Sequence, residues 1–238
     1  MKLLVSVVNK TEAHDSIKGG ADIIDVKNPK EGSLGANFPH VIQTVKQVMP
    51  KNLELSATIG DLPNLPGTAS LAALGAAVSG ADYVKAGLFG VKNTEEATIL
   101  MTEVVKAVKD YNSNLKIIAS GYADFESVGC VSPLDLPEVA DSSGADGVLI
   151  DVKIKDGKSN LFTFLKDIQL AEFVTKAHEH NLLAALAGSL TPSDIPMLHL
   201  LGADIIGVRG AVCAKKDRVY GKLEQEKVAE FVEALNAV

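Results

Sequence analysis

The sequence predicts a (β/α)8 TIM barrel, an α/β fold of eight parallel strands with helices outside. Three observations carry that expectation. The tripeptide Gly-Ala-Asp occurs four times, with its aspartates at 22, 82, 146 and 204, and each copy opens a short apolar run. The copies stand about 60 residues apart, too long for a solenoid repeat but matched by two consecutive βα units of the ~30-residue kind. The chain has 238 residues, near the ~250 typical of a closed barrel. Strand-like and helix-like stretches alternate throughout, as an all-parallel sheet requires. No linker or low-complexity tract interrupts the alternation, so 1–238 reads as one domain.

The first strand is expected at 3–8 and the first helix at 11–18, with Thr11 as its N-cap. The stretch 19–29 is the most informative. Gly19 and Gly20 end the helix, Ile23-Ile24 forms a β-branched core, and Pro29 turns Asn28 away from helical conformation, so the strand stops there. A loop of glycines and small residues follows at 30–36, then a helix at 39–48 with Val41, Val45 and Val48 at helical spacing. A third strand at 53–59 leads into a proline-punctuated loop at 60–67. The helix at 70–79 is so rich in Ala and Gly that it must pack closely against a neighbour. Its small apolar surface is also the reason to expect a homo-oligomer. Further strands are expected at 82–86, 115–120, 147–151, 182–187 and 205–208. Helices are expected at 94–111, 134–142, 164–180, 192–200 and 224–235, with a polar loop at 153–160.

Strand side chains alternate faces with period two, so equivalent offsets from the four anchor aspartates share one face. Three residues on come Asp25, Lys85, Leu149 and Gly207; five on come Lys27, Gly87, Asp151 and Arg209. In a barrel that face points inward, and catalytic groups stand at the C-terminal ends of several strands. Asp25, Lys27, Lys85, Asp151 and Arg209 are therefore expected around one mouth. Crowding Lys27 and Lys85 in a low-dielectric space depresses an amine pKa, which makes a lysine nucleophilic. Carboxylates beside them would orient the amines and relay protons. The competing structural reading is a buried ion network that seals one barrel end. Gly188-Ser189 and Gly210-Ala211 follow strands seven and eight, where such barrels hold phosphate on backbone N–H groups and a helix N-terminus. Thr191 or Ser193 would cap that helix, and Arg209 would fork onto the phosphate.

The remaining residues exclude other chemistries. The net charge of −7 argues against nucleic acid and anionic membranes as partners. No run of ~20 apolar residues is present to cross a bilayer, and the apolar start stops at Asn9-Lys10, short of a signal peptide. A cytoplasmic protein is expected. Cys130 and Cys213 define neither a disulfide framework nor a metal set. His14, His40 and His199 lie scattered on helices, and His178 and His180 near a helix end, so no metal site is expected. Lys215, Lys216 and Arg218 read as a solvated loop, with contact to a second phosphate or a neighbouring subunit as the alternative.

At these residues the sequence resembles the (5-formylfuran-3-yl)methyl phosphate synthase family of methanofuran biosynthesis. The resemblance is carried by Gly-Ala-Asp-Ile-Ile-Asp-Val-Lys-Asn-Pro at 20–29 and Glu-Gly-Ser-Leu-Gly-Ala at 31–36. Gly-Ala-Asp-Tyr-Val-Lys at 80–85, Ile-Lys-Asp-Gly-Lys at 154–158, Leu-Ala-Gly-Ser at 186–189 and Gly-Val-Arg-Gly-Ala at 207–211 extend it over nearly the whole chain. The resemblance implies a lyase that condenses two molecules of glyceraldehyde 3-phosphate, a phosphorylated triose, into one furan phosphate. It implies Lys27 as the Schiff-base lysine, Lys85 as proton acceptor, and Asp25, Asp151 and Lys155 as supporting charges. No metal or organic cofactor is implied, because the protonated imine is the electron sink. Val152-Lys153 departs from the family pattern, which has a Thr and a small residue there. Two other readings stand beside this one: a Schiff-base aldolase of triose or sugar phosphates, and a non-catalytic phosphosugar-binding barrel.

Overall fold

The computed structural model describes residues 1–238. Eight parallel strands close in sequence order, β8 pairing back onto β1. They are β1 (Lys2–Val7), β2 (Ile23–Val26), β3 (Glu54–Pro63), β4 (Tyr83–Gly90), β5 (Lys116–Tyr122), β6 (Gly147–Asp151), β7 (Leu183–Ala187) and β8 (Ile205–Val208). The helices are α1 (Lys10–Gly19), α2 (Pro39–Val48), α3 (Pro66–Val78), α4 (Thr94–Tyr111), α5 (Phe125–Val128), α6 (Leu136–Ser143), α7 (Leu161–Phe164), α8 (Asp167–Glu179), α9 (Ile195–Leu200) and α10 (Gln225–Asn236). None of them is long and apolar enough to cross a membrane.

The fourfold Gly-Ala-Asp is a joint, and each of its residues has a physical task. Gly20, Gly80, Gly144 and Gly202 take φ of 95°, 103°, 76° and 80°, the left-handed region that glycine enters without Cβ strain. The next N–H, on Ala21, Ala81, Ala145 or Ala203, then bonds back to the carbonyl of Ser16, Ala76, Ala140 or Leu198, closing a Schellman motif. All four alanines are buried. The aspartate takes the first free donor of the preceding strand. Asp22, Asp82, Asp146 and Asp204 accept the N–H of Leu3, Leu55, Ile117 and Ala184 at 2.7–2.8 Å. Their own N–H groups donate to the carbonyls of those same residues. Every even strand is thereby fastened to the odd strand before it, which is why the repeat spans two βα units.

Inside the barrel, Leu4, Ile23, Tyr83, Ile118, Leu149, Ala185 and Ile205 form an apolar plug. A second, larger layer of 58 buried residues lies mainly between the strands and the helices. One pleat above the plug, the inward positions turn polar: Ser6, Asp25, Lys85 and Asp151, all buried.

Several boundaries differ from expectation, each for a local reason. Asn9, not Thr11, caps α1, its side chain accepting the N–H groups of Thr11 and Glu12 at 2.9 and 3.0 Å. β3 runs on through the proline-punctuated segment to Pro63, because β4 continues beside it across two register shifts that pair Asp61 with Gly87 and Pro63 with Gly90. Proline lacks a donor, and a strand end or irregularity tolerates that. The helix expected at 164–180 is split, since Leu165 is extended (φ −121°, ψ 135°) and buries its side chain. The segments at 134–142 and 192–200 begin as 3-10 turns, Pro133–Asp135 and Pro192–Asp194, before α6 and α9. α5 was not expected.

Replacing Asp146 with Ala should destabilise the barrel by about 1.5–3 kcal/mol, the range for a hydrogen bond to a charged group. The Ile117 N–H loses its 2.8 Å acceptor and Lys109 its 2.9 Å partner. Urea unfolding measures this, and an unchanged midpoint would show that the joint is dispensable.

Candidate active site

The loops at the C-terminal ends of the strands enclose a cavity of about 570 Å³. Lys27, Lys85, Asp151 and Lys155 line it, as do Gly188, Ser189, Arg209 and Gly210. Asp25 lies fully buried beneath, so the inward alternation of β2, β4 and β6 gathers these charges at one end of the barrel.

The pairing of the charges differs from what strand neighbours suggest. Asp25 engages Lys85, two strands away: Nζ stands 2.8 Å from Oδ1, an ionic contact without aligned hydrogen-bond geometry. The other oxygen of Asp25 accepts the Ser6 hydroxyl at 2.8 Å. Asp151 Oδ1 takes the Lys155 ammonium at 2.5 Å and the Val152 N–H at 2.7 Å. Lys27 is the loosely held member, its Nζ 3.8 Å from Asp151 Oδ2. Three ammonium positions thus face two buried carboxylates at the floor of the cavity.

That imbalance governs protonation. Burial pulls the Lys27 amine down to about 8, against the opposing pull of Asp151 and Asp25. Lys85 and Lys155 push in the same direction as burial but rank behind it. Desolvation, more than like-charge crowding, therefore makes Lys27 deprotonatable. The carboxyls move the other way. Burial raises Asp25 and Asp151, yet Lys85 and Lys27 hold the former, and Lys155 and Lys27 the latter, below the usual carboxylate range.

Residues that carried no sequence signal fix this arrangement. Asp61 accepts the N–H groups of Ser33 and Leu34 at 2.9 and 3.1 Å, takes the Tyr122 hydroxyl, and pairs with Lys153 at 3.2 Å. The 31–36 loop is thus pinned over the mouth, where the Ser33 hydroxyl lies 2.7 Å from the Val152 carbonyl and 3.2 Å from Asp151 Oδ2. A Cβ on Gly32 would stand 2.0 Å from the Asp61 carboxylate, so this position requires glycine. Asp124 organises the loop after β6, accepting the N–H groups of Lys153 and Ile154, both at 2.8 Å. The departure at Val152-Lys153 is absorbed: Val152 is buried, and the Lys153 amine also lies 4.7 Å from the Phe89 ring centre.

The rim residues are held by contacts that spacing did not reveal. The Arg209 fork is already engaged: it pairs with Glu12 at 2.8 Å and donates to the carbonyls of Ser6 at 2.9 Å and Arg218 at 2.7 Å. It ties the end of β8 to β1 and α1. Lys215 and Lys216 are exposed, as a solvated loop requires, while Arg218 is half-buried; Lys216 and Arg218 both line the cavity. Thr191 precedes the 3-10 turn, with its hydroxyl 2.8 Å from the Asp194 carboxylate. Ser189 takes a left-handed φ of 57° beside Gly188 at 121°. For a non-glycine residue that conformation is strained, and such strain concentrates at functional sites. His178 and His180 pair with Asp204 and Asp141 outside the cavity.

A (β/α)8 barrel with buried, mutually paired lysines and carboxylates at the C-terminal ends of its strands has its candidate active site where enzymes of this fold carry theirs. The family model for 4-HFC-P synthase matches residues 3–232, and the chain belongs to this family. It is 54% identical over 233 residues to (5-formylfuran-3-yl)methyl phosphate synthase of Methanocaldococcus jannaschii, covering 98% of this chain and 99% of that one. The same-named protein of Methanosarcina acetivorans is 53% identical over 232 residues, covering 97% and 99%. Among solved structures, a 3-hexulose-6-phosphate synthase superposes with a TM-score of 0.67 at 20% identity, covering 99% of this chain and 100% of that one. A KGPDC from Streptococcus mutans gives 0.68 at 14%, covering 100% and 98%. These two likenesses establish the fold; the family establishes an enzyme of the synthase type.

Asp61→Asn puts an amide N–H₂ where backbone donors point. Synthase turnover should fall at least tenfold and stability by about 1–3 kcal/mol, read by steady-state rates and urea unfolding. Wild-type turnover would contradict the role given to this carboxylate.

Proposed function

We propose that this chain condenses two molecules of glyceraldehyde 3-phosphate into (5-formylfuran-3-yl)methyl phosphate, releasing one phosphate and two waters, in methanofuran biosynthesis. The observation that supports it most is the state of Lys27: buried in the cavity, loosely paired at 3.8 Å, with its ammonium pulled down to about 8. A depressed amine pKa means that the neutral, nucleophilic form is populated near neutral pH, at roughly a tenth of molecules at pH 7. Lys27 adds to the aldehyde carbon and the carbinolamine expels water as the imine forms. The protonated imine acidifies the neighbouring carbon. Lys85, having given its own proton to the departing carbinolamine hydroxyl, accepts that proton as a neutral amine, positioned by Asp25 at 2.8 Å. Elimination of phosphate, carbon–carbon bond formation with the second aldehyde, cyclisation and dehydration complete the balance. Asp151 and Lys155 hold the charge around the imine nitrogen.

The substrate phosphate is assigned to the backbone of Gly188-Ser189 and of Gly210, in the loops after β7 and β8, with Arg209 bracing the second loop through Glu12. The excess of cations around the cavity in a chain of net charge −7 favours an anionic substrate. Residues 1–238 act as one domain in the cytoplasm. They assemble as a homo-oligomer through α3, whose Leu71 and Val78 are 73% and 54% exposed.

Two experiments test this reading. In Lys27→Arg, borohydride trapping with glyceraldehyde 3-phosphate and turnover should both vanish. Lys85→Arg should lose turnover yet keep the adduct, because arginine retains the charge but accepts no proton. An adduct mapped to Lys85 in the unmodified protein would reverse the roles, and a product that keeps both phosphates would identify an aldolase instead. Light scattering should give a multiple of the 25.0 kDa chain mass; a monomer at working concentration removes the oligomer.

A further inference from the structure

The cations lining the cavity fall into two groups. Lys27, Lys85, Lys155 and Arg209 each have a carboxylate partner within 4 Å. Lys158, Lys216 and Arg218 line the same cavity and form no ion pair; of these Arg218 is the half-buried one. We propose that Arg218 and Lys216 bind a second phosphate monoester, that of the substrate molecule which never becomes attached to Lys27. The assignment rests on the reaction proposed above.

Arg218 is held, but not neutralised. Its Nη1 donates to the Pro29 carbonyl at 3.4 Å, and its Nη2 to those of Gly32 and Ser33 at 2.9 and 3.4 Å. Carbonyls fix the plane of the guanidinium without cancelling its charge, and five N–H donors exceed what these contacts use. Burial also presses the guanidinium toward the neutral form, against the longer-range pull of Asp151 and Asp61. A planar fork set rigidly at a cavity wall matches the oxygens of a phosphate.

The backbone is bent to deliver these side chains. Lys215 and Lys216 are consecutive non-glycine residues at φ of 55° and 56°, a strained turn that nothing in the barrel closure demands. A Cβ at Gly221 would lie 2.4 Å from the Ala214 carbonyl, so the loop folds tightly back on itself. The guanidinium then reaches the loop after β2, three strands around the barrel from the Gly188-Ser189 loop after β7. The two anion positions adjoin at the loop after β8, where a Cβ on Gly210 would lie 3.7 Å from that of Arg218, and they diverge from there toward β7 and β2.

The experiment compares imine formation with turnover in Arg218→Met and Arg218→Lys. In Arg218→Met, borohydride trapping of glyceraldehyde 3-phosphate on Lys27 should stay within about twofold of the unmodified protein. Its half-saturating concentration for furan phosphate formation should rise at least tenfold, with partial recovery in Arg218→Lys. Unchanged steady-state kinetics overturn the proposal. So does a parallel loss of trapping and turnover, the mark of an arginine that merely staples two loops. Absence of any adduct in the unmodified protein counts against the Lys27 reading instead. In that case inorganic phosphate decides: its protection against thermal unfolding should be weakened in Arg218→Met, and undiminished protection rejects the site.

Discussion

A carboxylate that captures the first N–H of the neighbouring strand is the interaction on which this barrel depends. It occurs four times, at 2.7–2.8 Å, always on the aspartate of a Gly-Ala-Asp. The glycine turns the chain out of a helix, the buried alanine seats the turn, and the aspartate sets the register of two strands. Charge-assisted bonds of this kind are worth about 1.5–3 kcal/mol each, enough for four of them to matter in a fold of ordinary marginal stability. With registers fixed at the N-terminal ends, the side chains at the other end have no freedom to choose their face. The position of Asp25, Lys27, Lys85 and Asp151 around one mouth follows from joints at the opposite end of the molecule.

What the barrel then creates is an electrostatic imbalance. Replacing one carboxylate–amine pair by another within this space would keep the formal charge and change the chemistry. Lys85 is tied to Asp25 and Lys155 to Asp151 at contact distance, which leaves Lys27 to meet the cost of burial with little compensation. The outer network of Asp61, Ser33, Tyr122 and Lys153 holds the 31–36 loop over this space, so the burial that lowers the amine pKa is itself supported by named hydrogen bonds.

The fold was legible because its determinants are local: the joint is three residues long, and strand alternation needs only a period of two. Pro39–Val48, Thr94–Tyr111, Gly147–Asp151 and Ile205–Val208 lie where patterning puts them, since each has clear punctuation at both ends. β3 and β4 outran their patterns, because a bulged ladder accommodates Gly60 and Pro63 in a way no local rule reveals. The inward face of the charged residues was legible; their partners were not. Asp25 bonds across two strands rather than along its own, and Arg209 meets Glu12 at a separation of 197 residues. Asp61 lay in a segment that read as loop, and Arg218 in one that read as solvent. Such pairings depend on barrel closure, which brings distant strands together at distances that spacing does not encode.

The claim on which the account turns is that the folded protein keeps the Lys27 amine partly neutral. Nitrogen-15 resonances of the lysine side chains, followed from pH 6 to 11 and assigned through Lys27→Arg, measure it without substrate. Because the amine is depressed, its proton should be lost with a midpoint near about 8, more than two units below an unperturbed lysine at about 10.4. A Lys27 midpoint at or above the unperturbed value would mean that the buried carboxylates, not desolvation, control the site, and the nucleophile would have to be sought elsewhere.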